Sequence, residues 1–216
     1  MQKAVLRIEW KACRHLVIAL AVAAFALPIV SVRLDWQGAG GSIPFFLTEL
    51  QLWGLFYPLL AAVAAIILAA ATWASDRRGQ HVYAMLLPVP RWRYVIYRYS
   101  AGVLMCLPVV AGLWLGAHVA IAGLDLPPGI LTYPDALALK FGLSLLLLFG
   151  FAFAIASASS RAIGIGIRAL GLFLAVHIAV LLLAPGTNLL WMAARALVAA
   201  AGPLSLLGGR WMLIDA

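Results

Sequence analysis

This sequence predicts an all-α polytopic membrane fold, on three observations. Of 216 residues, 66% are hydrophobic and 10% charged, where a soluble domain carries about 45–50% apolar and about 25% charged residues. Leu, Ala and Val fill successive runs of about twenty residues, and at 1.5 Å per helical residue such runs cross a hydrocarbon core of about 30 Å. Lys and Arg gather at the ends of these runs, as membrane orientation requires. Together these features exclude a soluble enzyme. They imply one transmembrane domain over residues 1–216, with six spans and short loops and no room for a second soluble domain.

The first apolar run covers residues 16–32, with Pro28 inside it and Arg33 and Asp35 closing it. The second covers 52–74 and the third 99–123. The fourth, about 136–158, has Lys140 near its start, and the fifth, about 163–184, has Arg168 near its start. The last, 189–207, is the weakest. It holds Arg195 in its middle and Gly202-Pro203 near its end, a pattern that suits a broken or re-entrant helix as well as a span.

The net charge of +8 would suggest nucleic acid in a soluble protein, but its distribution sets topology here. Lys3, Arg7, Lys11, Arg14, Arg77, Arg78, Arg91, Arg93, Arg98, Arg161, Arg168 and Arg210 fall on one side of a six-span arrangement, with Arg33 and Lys140 opposite. The base-rich side is expected to be cytoplasmic, with both termini there. Trp36, Trp53 and Tyr133 then mark the outer interface and Trp10, Trp73, Trp92 and Trp211 the inner one. The two cysteines, Cys13 and Cys106, have no spacing that suggests a metal site or a disulfide framework.

Before the first span, Lys3, Arg7, Lys11 and Arg14 recur at helical spacing on one face, and Val5, Ile8 and Ala12 lie on another beside Trp10. Residues 1–14 are expected to form an amphipathic helix along the inner surface of the lipid bilayer. A solvated basic tail is the plainer alternative, and a signal peptide is a second one. Between the second and third spans, residues 75–98 form the most informative loop. Asp76 and Gly79 precede a helix-compatible run to Leu87, which Pro88 and Pro90 end because neither has a backbone N–H to donate. A short cytoplasmic helix over about 77–87 is expected. Arg91, Arg93 and Arg98, with aromatic spacers, then lead back to the membrane.

This loop resembles the cytoplasmic loop of type-2 ABC export permeases, where a Gly, paired leucines, Pro-Val-Ser-Arg and a basic residue lead from the second span into the third. Gly79 matches the Gly, Leu86 and Leu87 the leucines, Pro88 the Pro, Val89 and Arg91 the rest of that element, and Arg98 the later base. Pro90 stands in place of Ser, Gln80 where Ser or Thr is common, and Asp76 is displaced from the family's acid. The resemblance covers about 25 residues, and the six-span plan extends it loosely. It implies a permease of the bacterial inner membrane that docks its loop helix on separate cytoplasmic ATPase subunits, which bind ATP and Mg. It also implies a second permease chain, identical or homologous. Asp76, Gly79, Leu86, Leu87, Pro88, Arg91 and Arg98 would form the coupling element. A basic, topology-setting loop with a proline turn is the alternative.

The chain has no Gly-Lys dipeptide, so it lacks a phosphate-binding loop of its own. No catalytic residue, metal site or cofactor is expected in it. His118, His177, Asn188 and Arg195 are the candidates for a hydrated pathway, as polar residues within or near spans. Lys140 is expected to snorkel outward, beside Asp135, residues 206–210 to form a flexible inner end, and residues 208–216 a C-terminal tail. Small residues Ala61, Ala62, Ala64, Ala65, Ala162 and Gly166 offer close helix approach. Two other function classes fit six spans: a substrate-binding membrane subunit of a vitamin importer, and an intramembrane serine protease using Ser144 with His177. The protease reading lacks an oxyanion site, and the proline-ended loop helix favours the export permease.

Overall fold

A computed structural model describes residues 2–38, 53–78, 90–122, 130–158, 160–183, 189–198, 202 and 204–215. Helices dominate: α1 (Gln2–Gly38), α2 (Phe56–Arg78), α3 (Arg91–Ile121), α4 (Pro134–Ser157), α5 (Ser160–Leu183) and α6 (Leu189–Val198). Two short strands, β1 (Leu131–Thr132) and β2 (Ile214–Asp215), complete the regular structure with a turn of 3-10 helix at Ser205–Leu207. Among the described residues, five helices contain stretches long and apolar enough to cross a membrane: Glu9–Arg33, Phe56–Ala74, Trp92–Ile121, Pro134–Ser157 and Gly164–Leu181. The chain packs as two compact units, one of residues 1–156 with 210–216 and one of 157–209.

The segment expected as a separate surface helix is instead the opening of α1. No Gly or Pro occurs between Gln2 and Leu27, so nothing interrupts the hydrogen-bond ladder. The 37-residue helix is about 55 Å long, well beyond the hydrocarbon thickness. Its inward face is Glu9, Cys13, Val17, Leu20 and Ala24, at spacings of three and four. Ala12 and Trp10, expected on the apolar side, are exposed, as are Arg7, Lys11 and Arg14. Pro28 lies buried within the helix, and Ser31 Oγ donates to its carbonyl at 3.0 Å.

Helices α1 and α3 run parallel and in close contact. Gly112 and Gly116, four residues apart on α3, face the backbone of Ala21 and Phe25, four apart on α1. A Cβ on Gly112 would stand 2.5 Å from the Ala21 carbonyl oxygen, and one on Gly116 would overlap that of Phe25. This is the small-residue spacing that lets membrane helices approach without side chains between them. Helix α2 returns antiparallel and places Ala61, Ala64, Ala65, Leu68 and Ala69 in the core. Toward the base-rich end, Trp73, Tyr99, Phe149 and Phe153 form an aromatic cluster joining α2, α3 and α4, with centroids 5.3–5.8 Å apart.

Residues 210–215 fold back onto the first unit at the opposite end of the bundle. Strand β2 pairs antiparallel with β1, Leu131 opposite Asp215 and Thr132 opposite Ile214, and Tyr133 N–H donates to Leu213 O at 2.9 Å. Trp211 stacks on Tyr57 with centroids 6.5 Å apart. Lys140 Nζ lies 4.7 Å from the centre of the Trp211 ring and donates to Arg210 O at 3.0 Å, so it turns toward this segment and not toward Asp135. The C-terminal stretch is thus a packed cap, with Leu213 and Ile214 buried, in place of the C-terminal tail expected. It lies at the end of the first unit away from the N-terminal turns of α1, which stand beside Thr72 and Arg98.

The sixth segment is short. Helix α6 has 10 residues and is about 15 Å long, half the thickness it would need to cross. The chain then reverses: Leu204 N–H donates to Leu197 O at 2.8 Å, and Gly202 seats against the carbonyls of Ala196 and Leu197, where a side chain would not fit. Gly209, with φ of 74°, makes the left-handed turn before Arg210. Arg195 sits exposed in the last turn of this helix, where a cation favours the carbonyl end of the dipole.

Candidate functional site

The loop that carries the sequence motif is rooted in α2 and α3, and its roots lie at the base-rich end of the first unit. Helix α2 continues through Asp76, Arg77 and Arg78, so these residues prolong the second span's helix instead of opening a new one. Helix α3 begins at Arg91 directly after Pro90, whose φ of −54° and ψ of 135° give an extended entry. A proline at this position sacrifices no helical hydrogen bond, because the first N–H groups have no partner within the helix. Gly79, Leu86, Leu87 and Pro88, and most of the expected helix 77–87, lie outside the described residues.

Arg98, which the motif places among the coupling residues, is buried, with 6% of its area exposed. Its partner is Glu9 on α1, 4% exposed, with Nη1 to Oε1 at 3.2 Å. The same Nη1 donates to the Thr72 carbonyl of α2, and Nε donates to the Tyr94 hydroxyl at 2.9 Å. The guanidinium carbon also lies 5.8 Å from the centre of the Trp73 ring and 5.3 Å from that of Tyr94. The Thr72 hydroxyl itself donates back to Leu68 O at 2.5 Å, a bond that tends to bend a helix.

One arginine thereby ties three helices together just inside the two roots of the loop. Two charges withdrawn from water need each other, since losing one partner of a buried pair costs about 3–5 kcal/mol. A displacement of α2 or α3 at the loop therefore carries α1 with it, or breaks this pair. Glu9 escaped the sequence reading, which weighed the bases of residues 3–14 and not the acid among them. The signal that marks it is a carboxylate on the face opposite Arg7, Lys11 and Arg14, in register with Cys13 and Val17.

The remaining expected site residues do not converge in one unit. His118 belongs to the first unit, near the end capped by residues 210–215; its Nδ1 meets Trp114 O at 3.0 Å and its Nε2 lies 3.7 Å from Asp135 Oδ1. His177 and Arg195 belong to the second unit. His177 is 6% exposed, and no donor or acceptor among the described residues meets its Nδ1. Asn188 lies outside the described residues. Ser144 is fully buried within α4. Lys3 starts α1 with the other bases of its turn, and Arg7, Lys11 and Arg14 remain on the open face. Among the described residues no three His, Cys, Asp or Glu side chains gather into a metal site, and Cys13 and Cys106 are buried free thiols.

Comparison with protein-family models, with curated proteins and with solved structures returns no match. The chain's chemistry must be argued from its own residues.

Proposed function

We propose that this chain is the permease subunit of an ATP-driven ABC transporter of the type-2 export class. In this reading it lies in a bacterial inner membrane, forms the pathway with a second permease chain, and is driven by separate cytoplasmic ATPase subunits. The observation that carries the proposal is the joining of two features at one place. The Gly79…Pro88-Val89…Arg91…Arg98 pattern spans the loop, and its last residue reaches inward to lock α3 to α1 and α2 through Glu9 and Thr72. A basic loop that only set topology would need its charges in water. Here one of them is committed to transmitting position between helices, as a coupling element requires.

The orientation follows from the first unit's charges. Lys3, Arg7, Lys11, Arg14, Arg77, Arg78, Arg91, Arg93 and Arg98 lie toward the loop end, and Arg33, Lys140 and Arg210 toward the other. The loop end is therefore cytoplasmic. The N-terminus is inside and the C-terminal cap outside, with α6 entering without crossing.

Leu86 and Leu87 would fill an apolar groove on the ATPase, contributing on the order of 2 kcal/mol each. The double variant Leu86→Ala, Leu87→Ala is expected to insert and fold normally yet lose permease-stimulated ATP hydrolysis in proteoliposomes. Stimulation equal to that of the unaltered chain would overturn the docking role.

A further inference from the structure

Between α3 and α4 the first unit has an apolar groove of about 520 Å³ that the transport reading does not use. Its floor is Cys106, Ala138 and Gly142, all buried. The floor is deep because Gly142 has no side chain: a Cβ there would come within 3.3 Å of Val110 Cγ1. Leu139 and Leu143 form an exposed wall. From Asp135 to Leu146 the groove follows twelve residues of α4, a rise of about 16 Å, close to half of a hydrocarbon core of about 30 Å. It has the length of one leaflet and opens at the end opposite the loop.

The mouth is polar and of one sign. Asp135, in the first turn of α4, accepts the Trp114 indole N–H on Oδ1 at 2.7 Å while 79% of its side-chain area stays exposed. Among the described residues neither Lys nor Arg lines the groove; Lys140, on the same helix, is turned to Trp211 and Arg210. His118 Nε2 lies 3.7 Å from the carboxylate. A carboxylate held by an indole N–H, above a leaflet-long apolar channel, matches an amphiphile with a cationic head and a long alkyl chain.

We propose that this groove is a binding site for a bilayer phospholipid with a primary ammonium headgroup, of the phosphatidylethanolamine kind. Its acyl chain lies along Gly142, its ammonium donates to Asp135, and Trp114 covers the head. The site needs only the membrane-spanning arrangement of α3 and α4, so it stands or falls independently of the loop's coupling role. Anionic lipids are disfavoured by the same carboxylate.

The test reconstitutes the full chain in nanodiscs containing traces of phosphatidylethanolamine or phosphatidylglycerol with a photoactivatable acyl chain, and maps the labelled peptides by mass spectrometry. The ethanolamine lipid is expected to label 106–146 about fivefold more than the glycerol lipid, the size of one charge-assisted contact of about 1 kcal/mol. Asp135→Asn should remove that preference, and Gly142→Leu should suppress labelling by both lipids. On the unaltered chain, so that folding of a variant is not at issue, dodecylamine should compete with the label where dodecanol does not. Equal labelling by the two lipids, a preference that survives Asp135→Asn, equal competition by the amine and the alcohol, or a groove crosslinked to another polypeptide would each overturn the proposal.

Discussion

Removing one charge from the Glu9–Arg98 pair should destabilise the first unit more than any surface change. Glu9→Gln keeps the size of the side chain and an oxygen that can accept from Arg98, so packing is preserved while the countercharge is lost. The guanidinium is 6% exposed, and the pair stands at 3.2 Å. With charge centres about 4 Å apart and an effective dielectric of about 20, the lost attraction is about 4 kcal/mol, within the range of about 3–5 kcal/mol for orphaning a buried charge. For a chain of this size that corresponds to a fall of roughly 10 °C in the unfolding midpoint. Thermal unfolding in detergent, followed by size-exclusion profile, measures it. The double variant Glu9→Leu, Arg98→Met should recover most of the loss, because an apolar replacement of a buried pair is often neutral. A midpoint unchanged in Glu9→Gln would refute the burial argument, and a double variant worse than either single one would refute the pairing.

Two other outcomes follow from the packing. Gly116→Ala should cost about 1–3 kcal/mol of stability, since the new methyl would overlap the Phe25 carbonyl, whereas Gly164→Ala, with nothing within 4 Å of the added atom, should stay within about 0.5 kcal/mol of the parent; the two unfolding midpoints decide. Tags at the two termini should react with a membrane-impermeant reagent from opposite sides of the membrane, and reaction of both from the same side would contradict the C-terminal cap.

The membrane class and most span positions were legible because apolar run length is a local property. The second and fourth runs, 52–74 and 136–158, lie within a few residues of α2 and α4. The weakness of the sixth was legible for the same reason, in Arg195 and Gly202-Pro203. Three features were not. The Glu9–Arg98 pair joins residues 89 apart in sequence, and no spacing rule links them. The Gly112 and Gly116 contact was hidden among many small residues, and attention fell on Ala162 and Gly166. Nothing lies within 4 Å of a Cβ built on Gly166, so only the partner helix distinguishes one small-residue spacing from the other. The return of residues 210–215 depends on Tyr57 and Lys140 meeting Trp211, a tertiary event that no local pattern announces. The motif itself was read from sequence, but the burial of Arg98 against Glu9 was not.

The central claim is that this chain is driven by an ATPase it does not contain. Affinity purification of the tagged full chain from its native membrane in mild detergent, followed by measurement of vanadate-sensitive ATP hydrolysis in the eluate, tests it directly. The expected result is a complex holding a cytoplasmic ATPase and a second permease chain, with hydrolysis that falls to background when Leu86 and Leu87 are both alanine. An eluate in which the chain is free of any ATPase subunit and without ATP hydrolysis would contradict it.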